Sequence, residues 1–144
     1  MANEEELNAL ANELQLQQTR GEAIRQQMGQ MQQTVIEIGA AMEAINNLKK
    51  AKGETLVPIG AGVFVSCPKP DSERVIINIG ANLMVNKKPD DAVKMLEDRQ
   101  KKVRDAMKEA QAELQQIVRT VEELTGRANA LSQAEEKNVR ASKE

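Results

Sequence analysis

From Asn3 to Lys50 the chain contains no proline, and its apolar residues advance in steps of three and four. The series runs Leu7, Leu10, Leu14, Gln17, Gly21, Ile24, Met28, Met31, Val35, Ile38, Met42 and Ile45, with Gln17 and Gly21 as the two exceptions among twelve positions. A 3.5-residue period held for more than five heptads calls for a supercoiled helix rather than a short amphipathic one. Pro89 opens a second such series, with Asp90 and Asp91 suited to a helix N-terminus. Its seam reads Val93, Leu96, Gln100, Val103, Met107, Ala110, Leu114, Ile117, Val121, Leu124, Ala128 and Leu131, broken only at Gln100.

Two helices of similar length joined by a short connection fold back on each other as an antiparallel pair. At 1.5 Å per residue, the first is expected to be roughly 70 Å long. With Leu48 near Val93, Gly21 is expected opposite Val121 and Leu10 opposite Leu131. Gly21, Gly29 and Gly39 each cost the first helix about 1 kcal/mol relative to alanine. Gly21 adjoins the seam defect at Gln17, and Gly126 and Asn129 fall in the matching part of the second helix. Leu7, Leu10, Leu14, Leu131 and Val139 therefore have two readings, as ordinary seam residues or as a partly exposed apolar surface for another polypeptide. Most of the methionines fall on the seams and read as core filling.

Between the helices the chain says nearly the same thing twice. Ile59-Gly60-Ala61-Gly62-Val63-Phe64-Val65 returns as Ile79-Gly80-Ala81-Asn82-Leu83-Met84-Val85, 20 residues later and identical at four of seven positions. Apolar runs on both sides of a small-residue break read as two β-hairpins. Pro58 cannot donate to a ladder and marks an edge strand. Val57, Ile59, Val63, Val65, Val75, Ile77, Ile79, Leu83 and Val85 are the candidate assembly residues. Two short hairpins are marginal alone in water, and strands apolar on both faces recruit another chain. The competing expectation is a private four-stranded sheet packed on the chain's own helix ends.

Several function classes drop out. Histidine is absent and Cys67 is the single cysteine, which removes histidine-based acid–base chemistry, catalytic triads and thiolate zinc sites. No cofactor, metal or enzymatic activity is expected. Gly60-Ala61-Gly62 is not a dinucleotide fingerprint, because Val65 stands where a third glycine would be needed and no helix opens there. The net charge is −2, from 20 basic and 22 acidic residues, which steers the chain towards neither nucleic acid nor an anionic membrane. Lys49, Lys50, Lys52, Lys87 and Lys88 gather at the helix ends next to the strands and read as a solvated base. One lone cysteine and an acidic start without an apolar stretch favour a reducing, cytoplasmic setting.

The order helix, doubled β unit, helix resembles the prefoldin family, and within it the α-type subunits of archaeal kind. Glu54-Thr55-Leu56-Val57-Pro58-Ile59-Gly60-Ala61-Gly62-Val63-Phe64-Val65, followed by Val75-Ile76-Ile77-Asn78-Ile79-Gly80-Ala81, carries the likeness. Asn82 stands where a glycine is expected. The resemblance implies a single domain over residues 1–144: helix 3–52, two hairpins over 53–88, helix 89–138 and a frayed tail 139–144. It is mainly α with a small β part, a long antiparallel coiled coil whose hairpins assemble into an oligomeric β-barrel platform. It also implies a hexamer of two α-type and four β-type subunits. Such a complex would hold unfolded or nascent polypeptides at the ends of its helices, without ATP, and deliver them to a group II chaperonin. The alternative is a structural coiled-coil scaffold that tethers partners and holds no client.

Overall fold

A computed structural model describes residues 2–143. Its elements in chain order are helix α1 (Ala2–Lys50), strands β1 (Thr55–Gly60), β2 (Val63–Cys67), β3 (Val75–Asn78) and β4 (Met84–Lys87), and helix α2 (Pro89–Ala141). The chain divides into a helical unit, Met1–Gln32 with Asp105–Glu144, and a hairpin unit, Gln33–Arg104.

Both helices carry the charges that suit their ends. Glu4 and Glu5 lie in the first turn of α1 and Lys49 and Lys50 in its last, while Asp90 and Asp91 open α2. Acids at the start and bases at the end oppose the partial charges of the helix termini. Gly53, at φ 95°, lets the chain turn away from α1. Helix α2 runs to Ala141, three residues past the expected end at 138. Val139, Arg140 and Ala141 hold no glycine or proline to stop it.

In the helical unit the segments of α1 and α2 run antiparallel, tied by ion pairs Arg20–Glu113 and Glu6–Arg127. Leu10 and Ile24 of α1 and Ile117 of α2 are buried, and each such side chain stabilises the pair by about 2 kcal/mol. Every expected seam position in this unit is buried or half-buried. The register differs from the expected one. Gly21 lies over Leu114 and Ile117, one turn from Val121, and Glu6 reaches Arg127 in the same direction of shift. A heptad pattern is satisfied again after every step of three or four residues, so it specifies the face and leaves the axial position open.

In the hairpin unit, Lys49 at the end of α1 pairs with Asp90 at the start of α2, and Val35, Ala92 and Leu96 are buried. The strands form two separate antiparallel ribbons, β1 with β2 and β3 with β4. This replaces the private four-stranded sheet. The two turns share one geometry, as their sequences imply. Ala61 and Gly62 have φ of 50° and 77°; Ala81 and Asn82 have 49° and 58°. Two consecutive left-handed residues make the hairpin turn whose twist matches the strands, and asparagine tolerates that region better than most residues. Gly60 and Gly80 precede the turns at φ 115° and 111°, a conformation side chains rarely adopt.

Candidate functional site

The hairpins differ in what covers them. Cross-strand partners lie on the same face of a ribbon. In β1–β2 the pairs Leu56–Ser66 and Pro58–Phe64 make one face, and Val57–Val65 the other. Leu56, Val57, Phe64 and Val65 are all exposed, Phe64 at 57%. Both faces of this ribbon are therefore open. In β3–β4 the pairs Val75–Lys87 and Ile77–Val85 lie on one face, and Ile76–Asn86 and Asn78–Met84 on the other. Val75 and Val85 are half-buried and Ile77 is buried, whereas Ile76 is 71% exposed and Met84 is exposed as well. This ribbon has one covered face and one open apolar face.

Of the candidate assembly residues, Val57, Ile59, Val63, Val65, Ile79 and Leu83 are thus exposed, while Val75, Ile77 and Val85 face their own chain. Leu56, Phe64, Ile76 and Met84 are exposed apolar strand residues outside that set. The signal was available: they alternate with the chosen positions, and a strand with apolar residues at every position shows two faces. Each of the four strands also pairs on one side only. Every ribbon therefore presents two edges with backbone groups free to bond another strand.

Hydrogen bonds fix the second ribbon in place. The Asn78 side-chain oxygen accepts the Gly80 N–H at 2.8 Å, and Ile79 N–H donates to the Leu83 carbonyl at 2.9 Å. From α2, the Arg99 guanidinium donates to the Asn78 carbonyl. The Lys49 ammonium donates to Asp90, and this hydrogen bond and charge hold the Asp90 carboxyl below its ordinary 3.8. A depressed carboxyl stabilises the fold above its unfolded pKa and loses that contribution as pH falls through the lower folded value. Wild type and Asp90→Asn should therefore differ in urea midpoint at neutral pH and converge once the pH is below the folded value.

The helical unit offers less open surface than its sequence suggests. Leu10 is only 6% exposed, Leu7, Leu14 and Leu131 are half-buried in the seam, and Val139 alone of the five is exposed. Among the described residues of this unit, the large exposed apolar side chains besides Val139 are Leu16 and Val118. Both sit off the heptad positions, which is the signal that separates them from the seam. Val118 borders a shallow cleft of about 370 Å³ over Gly21, Leu114, Ile117 and Val121, flanked by Gln17 and Gln18. A Cβ on Gly21 would meet Ile117 at 3.5 Å and Leu114 at 3.7 Å, both ordinary contacts. Gly21→Ala should raise stability by about 1 kcal/mol in chemical denaturation, from helix propensity alone.

A helix pair whose paired strands remain largely uncovered is an oligomer-forming subunit, built to be completed by other chains. A family profile described as prefoldin subunit matches residues 16–134, and the chain belongs to the prefoldin family. Among similar curated proteins, prefoldin subunit alpha of Pyrococcus horikoshii is 31% identical over 91% of this chain and 90% of its own length. Prefoldin subunit alpha of Nitrosopumilus maritimus is 30% identical over 92% of each chain. A cryo-EM structure of filamentous PFD from Methanocaldococcus jannaschii superposes with a TM-score of 0.70, covering 78% of this chain and 95% of that one at 19% identity. It bears out the fold, a coiled-coil pair carrying small hairpins. Prefoldin is a family of chaperones rather than of enzymes, and membership implies assembly with other prefoldin subunits. No helix among the described residues is long and apolar enough to cross a membrane.

Proposed function

We propose that this chain is the α-type subunit of an ATP-independent holdase, assembled as two such chains with four β-type subunits. The observation that carries the reading is the β1–β2 ribbon, with apolar residues open on both faces. Partner strands would pair with its edges and cover those faces, and repetition around the complex would close them into a barrel platform. The helical units then hold unfolded or nascent polypeptide by weak apolar contacts. Several such units acting together give avidity without any single strong site. Release would be to a group II chaperonin in the cytoplasm. No nucleotide, metal or nucleic acid enters this scheme.

A second reading, a coiled-coil scaffold without client binding, draws support from the packing of Leu10 and its neighbours into the seam. The two readings part in one experiment. A chemically denatured protein is diluted into buffer containing the assembled complex, without ATP, and its aggregation is followed by light scattering. The holdase suppresses scattering at near-stoichiometric amounts; a scaffold leaves it unchanged. Native mass of the co-expressed complex checks the stoichiometry beforehand and separates a closed hexamer from an open-ended polymer.

A further inference from the structure

The two edges of each ribbon are unequal, and in the same way in both hairpins. In an antiparallel ladder, pairs that exchange two hydrogen bonds alternate with pairs whose N–H and C=O groups point to the outer edges. Ile79 N–H donates to the Leu83 carbonyl at 2.9 Å, so the next pair, Asn78–Met84, is of the outward kind, and so is Ile76–Asn86 two residues on. The phase of β1–β2 is the same, because Pro58 has no N–H and its pair with Phe64 cannot exchange two bonds. Pro58–Phe64 and Leu56–Ser66 are therefore the outward pairs of that ribbon.

Pro58 and Asn78 stand 20 residues apart, at equivalent positions of the repeat. At Pro58 the outer edge of β1 lacks a donor. At Asn78 the outer edge of β3 has its acceptor occupied, since the carbonyl already receives the Arg99 guanidinium from α2. A strand arriving at β3 would have to displace that side chain. Among the described residues, no other group bonds the outward N–H and C=O groups of Phe64 and Ser66 on β2, or of Met84 and Asn86 on β4. Leu56 and Ile76 keep theirs, so β1 and β3 each present an interrupted row and β2 and β4 a complete one. Proline in a sheet sits where its nitrogen side meets solvent, and strand addition draws its affinity from main-chain bonds. We propose that β2 and β4 are the edges at which other prefoldin subunits add their strands, and that β1 and β3 remain outer margins. The occupant is an extended strand, because a row of outward donors and acceptors is matched by another strand. A barrel built on these ribbons would have its joints beside β1 and β3. The assignment rests on the assembly proposed above.

The test follows amide hydrogen exchange at residue resolution in the full-length chain, alone in dilute solution and in the complex co-expressed with β-type subunits. On assembly the N–H groups of Phe64, Ser66, Met84 and Asn86 should slow by more than about 100-fold, and those of Leu56 and Ile76 by less than about tenfold. Equal slowing on both edges of a ribbon overturns the assignment, as does a complex in which β2 and β4 exchange as in the free chain; either result leaves assembly itself standing. Absence of any complex by native mass overturns both. Substitution then isolates the main-chain donor. Ser66→Pro and Asn86→Pro each remove an outward N–H and no ladder bond, so the free chain should keep its circular dichroism while association weakens by about tenfold. Ser66→Ala and Asn86→Ala keep the N–H and should assemble as the wild type does. Proline variants that assemble like their alanine counterparts overturn the assignment.

Discussion

Leu56→Lys combined with Phe64→Lys should abolish assembly while leaving the helical circular dichroism close to wild type. The two residues share one open face of the β1–β2 ribbon, and both are more than half exposed. Covering a phenylalanine and a leucine contributes about 4 kcal/mol together, and an unpaired ammonium enclosed in their place costs more. The expected loss is at least a hundredfold in association constant, since about 2.7 kcal/mol already corresponds to two factors of ten. Ile77→Lys is the control. Ile77 is buried against its own chain, so that change should lower the stability of the isolated subunit as well. Retained complexes in the Leu56 and Phe64 variant, by size-exclusion chromatography with light scattering, would show that this face is not the interface.

The second large effect concerns the helical unit. Replacing Leu16, Val118 and Val139 together with serine should remove most of the suppression of aggregation by the assembled complex. Among the described residues these are its large exposed apolar side chains, and exposed apolar groups are what a non-native chain can match. Because they lie off the seam, thermal stability should change little, within about 0.5 kcal/mol per site. Leu10→Ala makes the opposite pattern. It opens a cavity in the seam and should cost about 2–5 kcal/mol. Undiminished suppression by the triple variant would place client capture elsewhere.

The contrast between Leu10 and Leu16 shows what was legible in the sequence. Heptad stepping marks the residues that meet the partner helix, and the structure buries or half-buries those positions along both helices. That success limits the same pattern as a guide to a binding surface: an apolar residue on the seam is consumed by the seam. The residues left for another molecule are those that break the period, such as Leu16 two places after Leu14. Register was less legible, since a periodic seam repeats its own solution. The doubling of the hairpin was plain, down to the left-handed turn that Gly60-Ala61-Gly62 and Gly80-Ala81-Asn82 share. Which copy would be covered was not, because strands of similar apolar pattern acquire different surroundings only through the fold of the whole unit.

The β1–β2 ribbon also bears on supply. A chain that emerges with an apolar ribbon open on both faces and both edges is a hazard to itself for as long as it stays alone, since like strands pair readily. Such a subunit is poorly suited to storage as a free pool. If companions cover it, its usable amount would be set by whichever of them is scarcest, and any surplus would be open to self-association. Balanced synthesis of the companions is thus a requirement already present in one uncovered hairpin.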